Sequence, residues 1–517
     1  MVCGPKDHGP DHPICYIGWL AVPDLHPLEL TPDSSVPLYK QLADAIGRKI
    51  RGGVILTGDR LPPTRELADR LGLNRTTVSA AYSLLERSGL LEGHVGRGSF
   101  VAYRPVSPAD EAPDWEALLP PIESSVMGTT APQNGSTISF ANSRPPEASF
   151  PLAAFRRLSK QVIDSPEAAD ILQLGSPYGY EPLRQHLLAE AKQSGLAHAG
   201  DDLLVTNGCQ QALDLLTRTL IAPEGTVFIE EPVYGGLLRV LTGARARTVP
   251  VPVGPGGIAL ESLERLSPRE GFRMLIVTPN FQNPTGQTLS LDARKRLLEI
   301  AAGHRMAVVE SNVYGDLRYR GEALPSLKQL PFGAHVIYLG SYSKVAFPGL
   351  RVGWIIGPRP TIARLAAARQ TSDIHGDQLS QAVLLRFAQS GELARHLVET
   401  RREGGERLDA VLAACERWLP EGSRFTRPEG GMNLWVELPH SLEAETLLNV
   451  VAERGLTFLP GTYFSSRQAH RNALRLSFGG LPPGAIREGV KILGEAAAEL
   501  LARPLDNARP EPAAALV

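Results

Sequence analysis

Residues 340–354 read GSYSKVAFPGLRVGW and place one lysine, Lys344, between small hydroxylated residues and a Pro-Gly turn that an arginine follows. A lysine on a polar turn is often only a solvated loop residue. However, the hydroxyls of Ser341 and Ser343 and the guanidinium of Arg351 can hold an anion such as a phosphate. A desolvated lysine amine is a nucleophile toward an aldehyde. The segment therefore indicates a Schiff-base lysine beside a phosphate site, and pyridoxal 5'-phosphate (PLP) carries both groups that such a site needs.

Short apolar runs lie on both sides of this segment and alternate with amphipathic stretches. The runs are LLVT at 203, TVFIE at 226, MLIVT at 274, AVVES at 307, VIYLG at 336 and VGWII at 352. Buried strands that alternate with helices predict an α/β domain with a mostly parallel sheet wrapped in helices. Ligands of such sheets bind beyond the carboxyl ends of the strands, so candidate site residues are sought there.

Four further segments place polar or aromatic residues just after predicted strands. VTNGCQQALDLL enters a helix, so the backbone amides near Cys209 and Gln210 point at an anion, although any helix start looks similar. Tyr234, in EEPVYGG, is able to lie flat on a pyridine ring or to be a core tyrosine. Asn283, in TPNFQNPTG, and Tyr314, in ESNVYGDLRY, are both candidates to bind a phenolic oxygen.

Taken with residues 340–354, these segments resemble the fold-type I, PLP-dependent aminotransferases, and the resemblance covers roughly residues 138–500. It implies that Lys344 binds PLP covalently and that Tyr234 stacks on the cofactor ring. The implied phosphate site comprises Cys209, Gln210, Ser341 and Arg351, with Ser343 beside it, and the implied ring-hydroxyl site comprises Asn283 and Tyr314.

The segment NALRLSFG near the C-terminus resembles the substrate segment of the same family. The resemblance implies that Arg475 binds a substrate carboxylate through its two-pronged guanidinium. A surface ion pair is the alternative role for this arginine.

Two positions depart from the family pattern. An aspartate normally stands three residues before the tyrosine of ESNVYGDLRY, where it pairs with the pyridinium nitrogen of PLP, but this chain has Ser311. Because side chains alternate along a strand, Glu310 and Asn312 are expected to point to the opposite face and not to replace it. A tyrosine that normally reaches the partner subunit's phosphate is replaced by Leu174, and Tyr178 is a candidate substitute.

Residues 36–102 form a second, locally basic region, in which ten Lys and Arg residues face six Asp and Glu residues for a net charge of +4. Apolar residues at helical spacing near its start predict a first helix. The stretch GDRLPPTRELADRLGLNRTTVSAAYSLLERSGLL then predicts a helix-turn-helix. Thr64 is the expected N-cap of one helix, and the next is expected to run from near Asn74 to Ser88.

The last of these helices places Arg75, Thr76 and Thr77 at its N-terminal end, where a recognition helix meets base edges and phosphates. EGHVGRGSFVA then predicts a small hairpin with Arg97 at its tip. The region closely resembles the winged helix-turn-helix of the GntR superfamily of bacterial regulators, because LPPTRELA, NRTTVSAAYSLLE and GRGSFV occur in order. The DNA contacts that the resemblance implies come from Arg65, Arg75, Thr77, Arg97 and Gly98. A small helical protein-interaction module is the alternative.

A GntR-type reader joined to an aminotransferase-like domain resembles the MocR subfamily of transcriptional regulators. That resemblance implies a homodimer and an amino compound, or PLP itself, as effector. The predicted organisation is a disordered extension over 1–33, a winged helix-turn-helix over 34–103, a Pro- and Ser-rich linker over 104–136, a PLP-binding domain over 137–503 and a tail over 504–517.

Bulk properties fit this organisation. The 517 residues are 43% hydrophobic and carry a formal net charge of -2, so any DNA binding must be local rather than global. Four scattered cysteines give no disulfide framework, which predicts a reducing, cytoplasmic location. No early apolar run is long enough for a membrane span. Zinc at Cys3, His8, His12 and Cys15 is disfavoured because the spacing matches no common site, and no metal is predicted.

The leading hypothesis is a PLP-binding bacterial transcriptional regulator that binds double-stranded DNA and senses a small amino compound. The alternative is a working PLP-dependent aminotransferase that carries a regulatory DNA-binding domain. A third possibility is a PLP-independent regulator whose large domain only dimerises. The DNA-binding region and Ser311 favour the first hypothesis over the second. The sequence does not identify the effector, the target operon or the direction of regulation.

Overall fold

The structure of the protein is a computed structural model that describes residues 36–94, 98–103, 137–221, 225–266 and 273–502, together with Leu28, Leu30, Thr31 and Ser34. The predicted linker over 104–136, the predicted tail over 504–517 and nearly all of the predicted extension over 1–33 lie outside these residues. The chain divides into two compact units, Met1–Pro121 and Ile122–Val517. Within the described ranges, no helix is long and apolar enough to cross a membrane.

The N-terminal unit contains three helices followed by a two-stranded antiparallel hairpin. The helices are α1 (Leu38–Arg51), α2 (Thr64–Leu71) and α3 (Arg75–Arg87), and the strands are β1 (Leu91–His94) and β2 (Gly98–Val101). Apolar residues recur along α1 at helical spacing, and they pack on one face against α3 and the hairpin. The predicted helix-turn-helix and hairpin are therefore confirmed.

One predicted helix boundary is wrong. Thr64 is the first residue of α2 rather than its N-cap, and the N-cap is Pro63, which has no side-chain donor or acceptor to offer. A proline at this point fixes an extended backbone before the helix, so the helix begins at Thr64, one residue earlier than it would with Thr64 as its cap. The start of α3 matches the prediction, because the Asn74 side chain accepts a hydrogen bond of 3.1 Å from the amide of Thr76.

The second unit contains the remaining described helices and strands. Its helices are α4 (Leu152–Ile163), α5 (Ala168–Ile171), α6 (Glu181–Gln193), α7 (Gly208–Leu220), α8 (Gly235–Gly243), α9 (Leu260–Leu266), α10 (Leu291–Gly303), α11 (Arg359–Asp373), α12 (Gln378–Gln389), α13 (Glu392–Trp418), α14 (Ala444–Glu453) and α15 (Pro483–Ala502). Its strands are β3 (Ile138–Ser139), β4 (Asp201–Thr206), β5 (Thr226–Glu231), β6 (Arg247–Gly254), β7 (Gly257–Ile258), β8 (Arg273–Val277), β9 (Ala307–Ser311), β10 (Val336–Ser341), β11 (Gly353–Pro358), β12 (Arg424–Phe425), β13 (Asn433–Glu437), β14 (Leu456–Thr457), β15 (Leu459–Pro460) and β16 (Ala473–Ser477).

The main sheet of this unit has eight strands within the described residues, in the order β4-β11-β10-β9-β8-β5-β6-β7. The central pairs from β10 to β6 are parallel, whereas β11 runs antiparallel to both of its neighbours. Each of the six apolar runs in the sequence forms one of these strands. The prediction of a mostly parallel sheet in an α/β fold is confirmed, because strands buried on both faces read as continuous apolar runs.

A smaller sheet, β12-β13-β16-β15, packs against α13, α14 and α15 around its own apolar core. Two further cores lie against the main sheet, and one of them contains side chains of α7 and α11. The loops after β4, β5, β8, β9 and β10 begin at the carboxyl ends of these strands, and the loop after β8 contacts the smaller sheet through a hydrogen bond between Asn283 and Arg475 of β16. These loops carry the candidate residues, which is the expected position for a ligand of an open α/β sheet.

Candidate cofactor site and DNA-binding surface

The N-terminal end of α3 presents an exposed polar surface. Arg75 and Thr76 are exposed and Thr77 is half-buried, and the first turn carries no acidic residue. Arg65, in the first turn of α2, is exposed as well. The free amides at a helix N-terminus attract anions, and an arginine at the same end adds a full positive charge. The surface therefore suits a nucleic-acid phosphate and leaves Arg75 free to reach base edges.

In the hairpin that follows α3, Gly98 packs closely against Arg60, a residue that the sequence analysis does not mention. Gly98 has a φ of +106°, and a Cβ atom there would lie 3.0 Å from Nε of Arg60. Glycine is thus needed both for the backbone conformation and for the close packing of Arg60. Arg97, the predicted tip residue, lies outside the described residues.

Lys344 lies in the turn after β10 and faces the first residues of the second unit. Its Nζ atom donates a hydrogen bond of 2.5 Å to the carbonyl oxygen of Ser143. The same atom lies 5.7 Å from the centre of the Tyr314 ring. Lys344 is half-buried, so it is not the freely solvated loop residue of the simpler interpretation.

The hydroxyl of Tyr314 is buried at the centre of a polar cluster. It lies 3.3 Å from Oγ of Ser143 and accepts a hydrogen bond of 3.3 Å from Nδ2 of Asn283. Burial by itself raises the pKa of this phenol, but the charges of Lys344 and Arg475 and the hydrogen bond with Ser143 outweigh burial and hold the pKa below its usual value. The two residues predicted to bind a ring hydroxyl, Asn283 and Tyr314, are thus adjacent.

Arg475 is buried rather than at the surface, so the surface ion pair considered for it is not formed. Its Nη1 donates a hydrogen bond of 3.0 Å to Oδ1 of Asn283, and its Nη2 donates to the carbonyl oxygen of Ala141. Its Cζ lies 4.9 Å from the centre of the Phe464 ring. Burial lowers the pKa of Arg475 to about 10, which still leaves the guanidinium charged at neutral pH. Its Nε is buried and has no hydrogen-bond partner within the part of the chain that the structure describes.

A possible anion cradle lies at the start of α7. Gly208 opens this helix with a φ of +78°, and a Cβ there would lie 3.0 Å from Cζ of Arg351 and closer still to Nη2. The guanidinium of Arg351 also donates a hydrogen bond of 3.3 Å to the carbonyl oxygen of Asn207. The missing side chain therefore leaves room for an arginine directly over a helix N-terminus, where both attract the same anion.

Two more predicted phosphate ligands lie beside this cradle. The thiol of Cys209 donates to the carbonyl oxygen of Gly340 at 3.4 Å, and the amide of Ser343 donates to Oγ of Ser341 at 3.0 Å. Burial raises the pKa of Cys209 to about 12, although Ser341 and the charges of Lys344 and Arg351 are close enough to oppose that rise. The thiol is therefore neutral at physiological pH and does not repel an anion.

Gln210 is directed toward Tyr234 rather than toward the cradle. Its Nε2 donates a hydrogen bond of 2.9 Å to the carbonyl oxygen of Gly236, and its Oε1 accepts one of 3.3 Å from the hydroxyl of Tyr234. Tyr234 itself is 40% exposed, so the alternative of a core tyrosine is wrong. An exposed ring that is held by Gln210 suits the stacking role that the resemblance implies.

Ser311 ends β9 on the face of the sheet that also carries Leu339 and Ser341, because parallel neighbours in register share a face. Glu310 points to the other face, where its carboxylate accepts hydrogen bonds from the amides of Leu327 and Lys328. Neither Glu310 nor Asn312, which bonds to Asn280 and Tyr338, takes the position of the absent aspartate. This agrees with the alternation expected from the sequence.

Leu174, the second departure, is 73% exposed. Tyr178 does not project freely into its place, because its ring packs under the guanidinium of Arg184 at 5.2 Å.

The structure adds residues that sequence reasoning missed. Ser143 and Asn433 lie beside Tyr314, whereas Tyr463 covers Gly235 and accepts a hydrogen bond of 2.7 Å from Arg239. No local pattern marks Ser143 or Tyr463. Asn433 is an amide within an apolar strand sequence, GMNLWVEL, and that mismatch could have drawn attention to it.

In the described part of the chain, no group of three or more His, Cys, Asp and Glu residues is placed to hold a metal ion. The disfavoured zinc residues Cys3, His8, His12 and Cys15 fall outside that part.

Comparison with known proteins gives two family matches on the one chain. Residues 148–493 match the family described as aminotransferase class I and II, and residues 38–101 match the family described as bacterial regulatory proteins, gntR family.

Individual relatives divide in the same way. The probable rhizopine catabolism regulatory protein MocR of Rhizobium meliloti is 31% identical and aligns over 94% of this chain and 99% of its own length. The aromatic-amino-acid aminotransferase 1 of Thermococcus litoralis is 34% identical and aligns over 70% of this chain and 88% of its own length. Among solved structures, the kynurenine aminotransferase of Pyrococcus horikoshii has a TM-score of 0.71 and 32% identity over 75% of this chain and 97% of its own.

Proposed function

We propose that this chain, which belongs to the class I and II aminotransferase family, is a PLP-binding sensor that controls transcription. Over nearly its whole length it also belongs to the MocR-type regulators, which join such a domain to a GntR domain. The single observation that carries a sensor rather than an efficient enzyme is Ser311, because a complete lysine and anion site lacks the carboxylate that normally faces the ring nitrogen. The runner-up, a working aminotransferase, is favoured by the relatives that are named as aminotransferases.

DNA binding is assigned to the N-terminal unit through Arg65, Arg75, Thr76 and Thr77, with Gly98 and Arg97 in the wing. The exposed polar end of α3 supports this assignment, since it is the part of a recognition helix that enters the major groove. A protein that acts on bacterial DNA works in the cytoplasm, and we propose that location. The proposed domain limits are 34–103 and 137–503.

The residues present fit PLP. The glycine at position 208 leaves Arg351 over the start of α7, and Ser341 and Cys209 lie beside it, so these side chains and the first amides of the helix can donate to a dianionic phosphate. Lys344 is the amine that the cofactor's aldehyde would meet, and its charge already acts on Tyr314. When bound, PLP supplies an aldehyde that reacts with amines and a ring that withdraws electrons.

Different residues of the chain would hold different parts of the cofactor. Arg351, Ser341, Ser343 and the first amides of α7 hold the phosphate, and Cys209 contributes its amide and its neutral side chain. Asn283 and Tyr314 hold the ring hydroxyl through hydrogen bonds, and Tyr234 covers the ring. The side chain of Gln210 holds Tyr234, and its backbone amide stays among those proposed to bind the phosphate.

The effector is proposed to be a small amine that bears a carboxylate. Arg475 supports this choice, because its Nε is buried without a partner and its guanidinium is charged, so a carboxylate would complete its hydrogen bonds. A neutral hydroxyl at position 311 can donate to an unprotonated ring nitrogen but cannot stabilise a positive charge on it. Binding of the effector is thereby retained while proton abstraction from it is slow.

The protein is also proposed to be a homodimer. Leu172 and Leu174 are 71% and 73% exposed, and two exposed leucines separated by one residue are consistent with a surface that a second copy covers.

Two parallel experiments test the cofactor site and the control of DNA binding. The purified protein is incubated with PLP and reduced with borohydride, which turns the covalent link to lysine into a stable secondary amine that peptide mapping locates. We expect the label on Lys344. Label on Lys328, a fully buried lysine whose Nζ lies 3.0 Å from Asp201, would contradict the assignment.

In parallel, gel-shift assays on the native operator compare the protein with and without PLP and a panel of amino acids and simple amines. A ligand shifts DNA binding only by its different affinity for two states of the protein. We expect Lys344→Ala to bind DNA yet to lose the response to amines. A Lys344→Ala response equal to that of the wild type would refute sensing at this site.

A further inference from the structure

Two adjoining cavities lie on the face of the main sheet opposite to Ser311. Their volumes are about 180 and 410 Å³, and Tyr338, Ser194 and Leu196 line both. Tyr338 pairs in register with Glu310, and successive side chains along a strand point to opposite faces, so Ser311 faces away from the cavities. Ser194 is exposed and Tyr338 is buried, so the cavities extend from the surface to the sheet. None of the residues that line them is among those proposed to hold PLP.

A chain of hydrogen bonds beside the first cavity makes the Tyr338 hydroxyl a donor. Arg294, which can only donate, donates from Nη2 to Oδ1 of Asn280 at 2.6 Å. Nδ2 of Asn280 then donates to Oδ1 of Asn312 at 2.8 Å, and Nδ2 of Asn312 donates to Oη of Tyr338 at 3.2 Å. Each amide is therefore oriented by the donor before it. The Tyr338 oxygen accepts the last bond, and its own proton has no acceptor among the described residues.

Burial raises the pKa of Tyr338 above its usual value, so the phenol keeps this proton at neutral pH. A buried hydroxyl without an acceptor is uncommon, because it has lost its hydrogen bonds to water. Since Tyr338 lines both cavities, its proton is available to a group that enters them.

Charged groups of both signs line the first cavity. Arg318 donates from Nη1 to the carbonyl oxygen of Arg320 at 3.2 Å and pairs with Glu429, whereas its Nη2 is buried without a partner in the described part of the chain. The exposed carboxylate of Asp316 accepts no hydrogen bond from a described residue, and its ion pair with Arg401 is 3.8 Å long. The first cavity therefore offers a guanidinium donor to an anionic group and a carboxylate to a cationic group.

The second cavity adds an apolar surface next to these polar groups. Leu187, Ala191 and Ile356 are buried there, and Trp354 is half-buried. The indole of Trp354 lies directly on the backbone of Gly340, its partner across β10 and β11, where a Cβ atom would collide with the ring. Apolar surface with a few convergent polar groups is the usual lining of a small-molecule site.

We propose that the two cavities form one binding site for an amino acid with an apolar side chain, independent of PLP. The carboxylate of the amino acid accepts hydrogen bonds from Tyr338 and Arg318, and its ammonium group pairs with Asp316. Its side chain packs against Leu187 and Trp354. Water can satisfy the Tyr338 hydroxyl, but only a ligand with both polar and apolar parts also gains from the adjoining apolar surface.

The test uses Trp354 as a reporter in the full-length protein without PLP. Tryptophan fluorescence is titrated with L-leucine, and the part that comes from Trp354 is identified as the change that Trp354→Phe removes. We expect a saturable change with leucine. A fluorescence that leucine does not alter at any concentration up to its solubility would mean that the cavities hold only water, and it would overturn the proposal.

Three analogues of leucine each lack one of the groups that the site is proposed to bind. Isoamylamine lacks the carboxylate and should bind about tenfold more weakly or worse, because it loses the hydrogen bonds from Tyr338 and Arg318. Isocaproate lacks the ammonium group and should bind about two- to fivefold more weakly, as expected for an exposed ion pair. Glycine lacks the apolar side chain and should bind at least about tenfold more weakly. Equal affinities for all four compounds would contradict the assignment.

Two substitutions and a control locate the site. Tyr338→Phe keeps the ring but removes the donor, and it should weaken leucine binding by about tenfold. Asp316→Asn, at an exposed position that folding does not depend on, should weaken leucine binding about two- to fivefold and leave isocaproate binding unchanged. Tyr342→Phe is the matched control, because Tyr342 is buried and packs on Trp354 at 5.0 Å but lines neither cavity. If all three variants bound leucine like the wild type, the proposal would be wrong.

A last variant separates this site from the carboxylate site of the proposed function. Arg475→Met removes the guanidinium proposed to bind the effector, and we expect the leucine response of Trp354 to persist. A response that Arg475→Met abolishes and Tyr338→Phe preserves would place leucine at Arg475 and overturn the second site. Because the titrations contain neither PLP nor DNA, failure of the second site would leave the sensor function standing.

Discussion

Replacing Gly208 with alanine would test whether the start of α7 is a phosphate site. The glycine has a φ of +78°, which an alanine adopts at a cost of about 1–2 kcal/mol. Its new methyl group would lie 3.0 Å from Cζ of Arg351 and closer still to Nη2, so the guanidinium must move away from the helix N-terminus. The substitution therefore disturbs the proposed cradle at two of its parts at once.

The expected loss follows from the bond that Arg351 would make to a phosphate. A hydrogen bond to a charged group contributes about 1.5–3 kcal/mol, which corresponds to a PLP affinity about 10- to 150-fold weaker. Absorbance titration with PLP measures the affinity, and urea unfolding without PLP separates this effect from the backbone cost. The two effects should be distinct, because the strain acts on stability and the displaced arginine acts on phosphate binding.

Gly243→Ala is the matched control for this experiment. Gly243 is the last residue of α8, has no positive φ, and a Cβ atom there would meet nothing within 4 Å. Alanine is the better helix former, so this variant should be as stable as the wild type or slightly more stable and should bind PLP equally well. If Gly208→Ala also bound PLP with wild-type affinity, the assignment of the phosphate to this helix start would be wrong.

Three further predictions concern the ring nitrogen, DNA and pH. Ser311→Asp should speed the single-turnover conversion of PLP to pyridoxamine phosphate by about tenfold or more, because a carboxylate keeps the ring nitrogen charged. Fast conversion by the wild type would instead favour the alternative of a working aminotransferase. Arg75→Ala should weaken operator binding by about 1–3 kcal/mol in gel shifts and relax specificity if Arg75 reads a base, so unchanged binding would remove it from the interface. Burial raises the pKa of Glu230 to about 8, so the stability that its neutral form contributes is complete below the unfolded pKa near 4.5 and is lost as pH rises through about 8. The free energy of urea unfolding should therefore decline less with pH in Glu230→Gln than in the wild type, and equal declines would disprove this.

The fold could be predicted from the sequence because its strongest determinants are local. Six buried strands appear as uninterrupted apolar runs, and the helix-turn-helix appears as two short amphipathic segments around a turn. The error at Thr64 arose where two local preferences compete, since a threonine favours the cap position but the preceding Pro63 already supplies the extended backbone.

The cofactor site could be predicted only in part. Lys344, Asn283 and Tyr314 follow recognisable strand ends and Arg475 lies within β16, and their side chains do form one cluster. Ser143 contacts Tyr314 across 171 positions of sequence, and no periodicity or motif encodes such a contact. The direction of the Gln210 side chain was equally inaccessible, because a helix start determines where amides point and not which neighbour a long side chain selects.

The contacts of the site also explain where a bound effector would change the chain. Three side chains of the cluster end on two residues of one short segment: Lys344 and Tyr314 meet Ser143, and Arg475 meets Ala141. A carboxylate that takes the guanidinium competes with the Ala141 carbonyl, and a ligand that takes the lysine amine removes the donor from the Ser143 carbonyl.

This segment is separated from the predicted linker by β3, whose Ile138 and Ser139 pair with β14 in a separate two-stranded sheet. Phe140, between the strand and the two site contacts, is fully buried in the core of the smaller sheet. A change in these side-chain contacts would therefore affect residues 141–143 first. It would then affect Phe140 and the core of the smaller sheet, because packed cores move as units rather than deforming freely. An effector can act on DNA binding only through a difference in its affinity for two states of the protein, so the proposed sensor function requires contacts such as these to differ between the free and the occupied site.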